Sequence, residues 1–169
     1  MSTISIIMPS FNSEEYIGRS IDSALSQTFK DFEILIVDAG STDNTKKISQ
    51  SYGDERVKFM ELTGSKQGEA RNCGIENSRG EFIMFLDSDD YLADDQVIED
   101  CLDFIRLNEA DFFNFSVKFC ERKKVIKSLA VGDNRIESGT ENITKLSLNG
   151  IHIHTIPWNK IFKRSFLQK

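Results

Sequence analysis

The sequence predicts an α/β fold in which a mostly parallel central sheet carries helices on both faces. Three dense apolar runs predict buried strands, because a strand covered on both sides is apolar throughout instead of alternating. These runs are Ile4–Met8, Glu33–Asp38 and Phe82–Leu86. Segments with apolar residues at helical spacing lie between them, and this alternation favours parallel strands joined by right-handed crossovers.

The remaining elements are predicted in chain order. Ser13 is expected to cap the first helix, and Thr42 or Asp43 is expected to start the second. Six further segments follow: an edge-like strand over 57–62, a short helix over 68–78, a helix over 97–105, a strand over 111–117, a hairpin or loop over 121–140 and a helix over 141–148. We expect a single domain across residues 1–169.

The third apolar run leads directly into a cluster of acidic residues. Asp87, Asp89 and Asp90 follow it, at the carboxyl end of a strand, where open α/β sheets bind their ligands. Carboxylates this close repel one another, and a bound divalent cation removes that conflict. Oxygen ligands favour Mg²⁺ or Mn²⁺ over zinc. The alternative interpretation is an acidic turn that caps the next helix.

The loops after the three predicted strands, which start at Pro9, Asp38 and Asp87, should meet at one edge of the sheet. Phe11 could form a stacking wall there, Asp38 could accept hydrogen bonds from a base or ribose, and Gly40 would allow close backbone approach. Each also has a structural interpretation, as a core residue, a helix cap and a turn residue respectively. The glycine patterns of dinucleotide sites and P-loops are absent from the sequence, which leaves a nucleotide diphosphate held by a metal.

The bulk composition is that of a soluble globular protein of 169 residues with a net charge of −6. The basic cluster at residues 121–124 lacks interleaved aromatic residues and is interpreted as a solvated hairpin, so a nucleic acid partner is not expected. Three cysteines without metal-site spacing indicate a reducing compartment. Since no signal peptide or membrane-spanning run is apparent, we expect a cytoplasmic protein that could still dock on the inner membrane surface through other regions.

Several motifs, in this order and spacing, carry a specific resemblance over residues 1–95. They are Ser5–Asn12, Ser26–Phe29, Ile36–Asp43, Gly68–Ile75 and Gly80–Asp90, with a looser segment at Pro157–Arg164. On these residues the chain resembles the family 2 glycosyltransferases, which have the Rossmann-like GT-A fold of nucleotide-diphospho-sugar transferases.

The resemblance implies an inverting transfer of a sugar from a nucleotide-diphospho-sugar, with a UDP-sugar as the expected donor, to a hydroxyl of a glycan or lipid-linked acceptor in cell-surface polysaccharide synthesis. Asp87 and Asp89 match the family's Asp-x-Asp motif. The resemblance therefore implies that Asp89 binds Mn²⁺ or Mg²⁺. It implies that Asp87 contacts either the ribose or the metal with its water shell. The residues implied in nucleotide-sugar binding are Pro9, Phe11, Asp38, Gly68, Arg71, Asp87 and Ser88. For Arg71, a structural salt bridge is the alternative.

The chain departs from the family pattern at two points. Ala39 replaces an acid that commonly reads the nucleobase, so donor recognition could differ or rest on Asp38 and backbone groups. The family's general base follows a segment of the Trp158 type, and we expect it beyond Lys169; Glu137 and Glu141 are not favoured substitutes. We therefore expect the N-terminal part of a longer enzyme, with a nucleotide-binding half at 1–95 and part of an acceptor half at 96–169.

The late segment offers further candidates. His152 and His154 would share one face of a strand and could bind metal, although a packed or solvent-facing pair is favoured; Trp158 could stack on an acceptor sugar or anchor the core. Two other functions remain open. A sugar nucleotidyltransferase would need a glycine-rich basic loop where this chain has Pro9–Ser13, and a non-catalytic domain would bind nucleotide or a partner protein.

Overall fold

A six-stranded sheet organises the protein in the computed structural model, which describes residues 2–108, 111–114, 117–121, 124–129 and 160–168. The strands are β1 Ile4–Ser10, β2 Phe32–Asp38, β3 Val57–Glu61, β4 Phe82–Phe85, β5 Phe112–Asn114, β6 Val117–Glu121, β7 Lys124–Leu129 and β8 Lys160–Lys163. The helices are α1 Ile17–Leu25, α2 Thr45–Gln50, α3 Gln67–Asn77, α4 Val97–Leu107 and α5 Arg164–Leu167.

The sheet has the strand order β3-β2-β1-β4-β8-β5. Strands β1 to β4 are parallel, as predicted, and β3 lies at an edge. β8 is antiparallel to both of its neighbours, β4 and β5. This late strand therefore joins β5 to the parallel strands of the first half of the chain. β6 and β7 form a separate antiparallel hairpin, which agrees with the hairpin interpretation of the basic cluster.

Helices cover both faces of the sheet. Alternate residues of each central strand face opposite sides, so the apolar strands present an apolar surface on each face. On one face, Ile6 and Met8 of β1 belong to a core cluster that α1 and α4 complete. On the other face, Ile7 of β1 packs in a second cluster with Phe162 and, from α3, Ile75. Among the residues that the structure describes, none of the helices is long and apolar enough to cross a membrane.

Three predictions of local structure were wrong. Ser13 is not the cap of α1, which begins at Ile17 without a side-chain cap. The Ser13 hydroxyl lies instead 2.7 Å from the Ser88 hydroxyl. The second helix begins at Thr45, two to three residues later than predicted, and the Asp43 carboxylate accepts a hydrogen bond from the Thr45 amide. The strand expected over 111–117 is divided between β5 and β6. The predicted helix at 141–148 lies outside the described residues.

Candidate functional site

The carboxyl ends of β1, β2 and β4 meet at one edge of the sheet. Ser10 and Asp38 end β1 and β2 as paired residues, and the Ser10 hydroxyl donates a 2.9 Å hydrogen bond to the Asp38 carboxylate. The amide of Leu86 donates to the carbonyl of Ile7, which brings the acidic residues after β4 to the same edge. Phe11, just after β1, leaves 59% of its surface exposed. The predicted convergence of the three loops is present.

Asp38 shapes the loop that follows β2. Its side chain is only 1% exposed. One oxygen accepts hydrogen bonds from the hydroxyls of Ser10 and Ser41, and the other accepts from the amides of Gly40 at 3.1 Å and Ser41 at 2.8 Å. The turn requires a positive φ of 97° at Gly40, which glycine adopts without strain. In this structure, the carboxylate predicted to contact a base or ribose is already engaged by its own loop.

Asn12 joins the loops after β1 and β2. It has a positive φ of 47°, a conformation that asparagine tolerates better than most residues. Its side-chain oxygen accepts a 2.9 Å hydrogen bond from the Thr42 amide, and its own amide donates to the Ser41 hydroxyl at 2.9 Å. Phe11 therefore lies in a loop that is hydrogen-bonded, through its neighbour Asn12, to the loop after β2.

The acidic residues after β4 form a tight turn. The amide of Asp90 donates to the carbonyl of Asp87 at 3.0 Å, which closes a four-residue turn with Ser88 and Asp89 at its centre. The side chain of Asp89 is exposed, whereas Ser88 is buried. The next helix, α4, begins only at Val97, so these acids do not cap it. We call residues 87–90 the acidic turn.

Arg71, from α3, holds the first acid of this turn. Its Nη2 lies 2.6 Å from Asp87 Oδ1, and both side chains are 13% exposed. Burial raises the pKa of Asp87 and the charge of Asp89 raises it further, whereas Arg71 opposes both effects. The Arg71 Nε is buried and has no hydrogen-bond partner in the described part of the chain. The structure thus brings together two residues that the sequence selected separately.

The electrostatics of the acidic turn suit a bound cation. The pKa of Asp90 is raised to about 6, first by burial and then by the charges of Asp89 and Asp87, and Arg19 partly offsets these effects. Within the described ranges, no three or more His, Cys, Asp or Glu side chains are arranged as a complete metal site. Mg²⁺ is commonly held by one or two carboxylates together with waters and substrate phosphates. Asp87 and Asp89 fit that kind of site, which a diphosphate would complete.

Side chains of α1 contact the backbone carbonyls of the acidic turn. The Ser20 hydroxyl is within hydrogen-bond distance of the carbonyls of Ser88, at 2.8 Å, and Asp90, and Arg19 Nη2 donates to the Asp89 carbonyl at 3.1 Å. The guanidinium of Arg19 also lies 4.3 Å from the ring centre of Tyr91. Sequence reasoning assigned no role to Arg19 or Ser20, whose one signal was their place beside the apolar face of a predicted helix.

Gln27 fixes the loop between the acidic turn and α4. This buried side chain donates from Nε2 to the Asp94 carbonyl at 2.6 Å and accepts from the Ile98 amide at 3.1 Å. The Ser23 hydroxyl accepts from the Leu92 amide at 3.1 Å in the same loop. Gln27 belongs to the Ser26–Phe29 motif of the resemblance, and the structure gives that motif a physical role.

The remaining sequence candidates lie in different environments. Pro9 is buried within β1, opposite Val37 of β2, and therefore lies inside the sheet and not in the loop. Gly68 is exposed in the first turn of α3, with open space where a side chain would be. The candidates Glu137, Glu141, His152, His154 and Trp158 lie outside the described residues.

Lys160 is a further basic residue at this edge that sequence reasoning did not select. It begins β8, one residue beyond the Met84–Ile161 pair, and therefore lies level with the end of β4. Its side chain is buried, and burial lowers its pKa to about 8. The signal in the sequence was its place in the looser motif at Pro157–Arg164.

Comparison with known sequences gives a consistent family. The family model described as "Glycosyl transferase family 2" matches residues 5–169. An uncharacterized glycosyltransferase of Haemophilus influenzae is 39% identical over 124 residues, covering 72% of this chain and 49% of that protein. The putative glycosyltransferase EpsH of Bacillus subtilis is 31% identical over 171 residues, covering 98% of this chain and 48% of that protein. The chain thus spans about half the length of these relatives.

Comparison with solved structures gives matches over almost the whole chain. The structure of Staphylococcus aureus TarS 1–349 in complex with UDP-GlcNAc matches with a TM-score of 0.81 at 30% identity, covering 99% of this chain and 47% of that one. The complex of the same protein with UDP matches with a TM-score of 0.75 at 27% identity, covering 99% of this chain and 48% of that one. TarS is a poly(ribitol-phosphate) beta-N-acetylglucosaminyltransferase.

Proposed function

This chain belongs to glycosyl transferase family 2 and has the GT-A fold, and from that premise we propose that it transfers a sugar from a UDP-sugar to an acceptor hydroxyl. The observation that carries the proposal is the match of 99% of the chain to TarS solved with UDP-GlcNAc. The converging loops at the carboxyl edge of the sheet support it, because ligands of open α/β sheets bind at this edge.

We place the nucleoside beside Phe11 and the loop after β2. The exposed ring of Phe11 offers a stacking surface for a base, and Gly40 allows the backbone to approach closely. Since the Asp38 carboxylate is engaged within its own loop and Ala39 has no acceptor group, hydrogen bonds to the base would come mainly from backbone groups. Pro9 would support this pocket from within the sheet, and Gly68 would border it.

We place the diphosphate at the acidic turn, with Mn²⁺ or Mg²⁺ bound by Asp89 and Asp87. A divalent cation in that position would neutralise charge on the diphosphate leaving group. Arg71 opposes the rise in the pKa of Asp87 and holds its carboxylate at 2.6 Å, and the buried Ser88 lies at the centre of the turn. The donor site would thus lie in residues 1–95, and residues 96–169 would contribute to the acceptor side.

We propose an inverting reaction. The bond between the anomeric carbon and the diphosphate oxygen breaks and UDP leaves. The acceptor oxygen forms its bond on the opposite face of the sugar and gives up its proton to a general base. The acceptor is proposed to be a hydroxyl of a glycan or lipid-linked glycan in cell-surface polysaccharide synthesis. This proposal follows from the relation to TarS, whose name describes transfer onto poly(ribitol-phosphate).

Calorimetric titration with UDP, GDP and dTDP, with and without Mn²⁺, tests this function. We expect UDP to bind with the highest affinity and Mn²⁺ to strengthen its binding at least about tenfold, equivalent to about 1.4 kcal/mol. UDP-GlcNAc is the first complete donor to test. Equal, weak binding of all three nucleotides, with no effect of Mn²⁺, would contradict the proposal.

Asp89→Asn should abolish the Mn²⁺-dependent part of UDP binding. The substitution keeps the size of an exposed side chain but removes the charge that we assign to metal binding. Asp95→Asn is the matched control, because Asp95 is an exposed acid in the following loop. We expect Asp95→Asn to retain the full effect of Mn²⁺ on the UDP dissociation constant. A tenfold effect of Mn²⁺ that persists in Asp89→Asn would place the cation elsewhere.

A further inference from the structure

The two acids assigned to the cation are held in place by different means. The Asp87 carboxylate is fixed directly by Arg71 at 2.6 Å. The Asp89 carboxylate accepts no hydrogen bond within the described part of the chain, so its position depends on the backbone of the turn. That backbone is held by α1, where Ser20 contacts the carbonyls on both sides of Asp89 and Arg19 contacts the carbonyl of Asp89 itself.

We propose that Ser20 is a positioning residue for Asp89, with Arg19 as its partner. The inference rests on the proposed function, because it assigns α1 a part in metal-dependent donor binding. The central peptide group of a four-residue turn, here between Ser88 and Asp89, can adopt either of two orientations, which distinguish turn types I and II. The fully buried Ser20 hydroxyl restricts the carbonyls of Ser88 and Asp90, and Arg19 restricts the peptide between them. The turn therefore directs the Cα–Cβ bond of Asp89 towards solvent in one orientation.

This arrangement separates two contributions to donor binding. Contacts with the base and ribose involve the loops after β1 and β2, which bond to each other through Asn12 and Ser41. The contribution of the cation depends on Asp89 and hence on α1. Loss of the Ser20 hydroxyl should therefore weaken Mn²⁺-dependent binding of UDP and leave metal-free binding of UDP unchanged. A general loss of structure would weaken both.

Ser20→Ala tests the inference, with Ser26→Ala as the matched control. Ser26 directly follows the last residue of the same helix, is exposed, and its hydroxyl donates only to the Ser23 carbonyl at 2.9 Å. We expect Ser20→Ala to raise the UDP dissociation constant in Mn²⁺ about tenfold, on the scale of one lost hydrogen bond. The dissociation constant without metal should change less than about twofold. Ser26→Ala should match the wild-type chain in both measurements.

Arg19→Met provides a second variant, since Arg19 is exposed and its replacement should not impair folding. It should reduce the effect of Mn²⁺ several-fold, and thermal unfolding of each variant monitors the fold. If Mn²⁺ strengthens UDP binding equally in the wild-type chain, Ser20→Ala and Arg19→Met, the positioning role is refuted while the proposed function stands. If Mn²⁺ has no effect even in the wild-type chain, the metal-dependent donor site itself fails, and this inference fails with it.

Discussion

Replacing Arg71 with methionine should weaken Mn²⁺-dependent binding of UDP about 100-fold. The substitution leaves the Asp87 carboxylate, 13% exposed, without its cationic partner. A 100-fold change in affinity corresponds to about 2.8 kcal/mol, and we expect a loss of this size because the Asp87 carboxylate is no longer held towards the cation. Calorimetric titration with UDP in Mn²⁺ measures this loss.

The same variant should bind UDP better as the pH rises. Burial and then the charge of Asp89 raise the pKa of Asp87, and Arg71 opposes both effects. Without Arg71, the pKa of Asp87 rises further, so a larger fraction of the carboxyl group is protonated at a given pH. Raising the pH restores the ionised form, so the affinity of Arg71→Met should recover towards alkaline pH.

Arg79→Met is the control for the Arg71 substitution, since Arg79 has an exposed side chain. It should keep wild-type affinity across the same pH range. If Arg71→Met binds UDP within about threefold of the wild-type chain, the Arg71–Asp87 pair is a structural salt bridge without a role in donor binding.

Gly80→Ala should produce the largest loss of stability, at least about 3 kcal/mol in the free energy of unfolding. A methyl group at this position would overlap the backbone nitrogen of Ser5 and lie 2.7 Å from the carbonyl carbon of Ile4 and 2.9 Å from the carbonyl oxygen of Phe82. All three atoms belong to the backbone of the central strands β1 and β4, which cannot move aside as a flexible side chain can.

The surroundings of Gly80 reinforce this expectation. The Gly80 amide donates to the Ser5 hydroxyl at 2.9 Å, and that hydroxyl donates to the buried Glu33 carboxylate at 2.6 Å. Although burial raises the pKa of Glu33, hydrogen bonds from Lys58, Ser5 and Arg79 lower it more. Displacing Gly80 would therefore disturb a buried charged network as well as two strands.

Thermal and denaturant unfolding measure the effect of Gly80→Ala. A loss of about 3 kcal/mol corresponds to a decrease of roughly 6–12 °C in Tm for a chain of this size. Gly53→Ala is the control, because no atom of the described residues, apart from the chain neighbours of Gly53, lies within 4 Å of an added methyl group there. The stability of this variant should change by less than about 0.5 kcal/mol. Equal stability of the two variants would contradict the close contact between Gly80 and β1.

The parallel half of the fold could be predicted because its strands carry a local signal. β1, β2 and β4 are buried on both faces and therefore appear as continuous apolar runs. The four-residue strand β8 carries almost no such signal, since it is defined by pairing with β4 and β5, which lie far away in sequence. Ser13 was assigned to a cap on local preference, but tertiary contacts direct its hydroxyl to Ser88.

Candidate site residues could be predicted from the sequence where their side-chain type suggests a ligand contact and they directly follow a predicted strand. Asp87, Asp89 and Phe11 were selected in this way. Contacts with backbone carbonyls were not predictable, because any polar side chain on a helix could make them and only the fold determines which one does. Arg19, Ser20 and Gln27 belong to this group. The opposite case is Asp38, whose type suggested ligand contact but whose oxygens are engaged within their own loop.

The most direct test of the account is the location of Mn²⁺ in the presence of UDP. In an amide-resolved NMR spectrum of the 169-residue chain, trace Mn²⁺ with UDP should selectively broaden the signals of Ser88, Asp89 and Asp90. The signals of Lys47 and Ser51, which line a groove beside α2, should remain sharp. Omitting UDP should greatly reduce the broadening. Broadening centred away from the acidic turn, or independent of UDP, would contradict the proposed donor site.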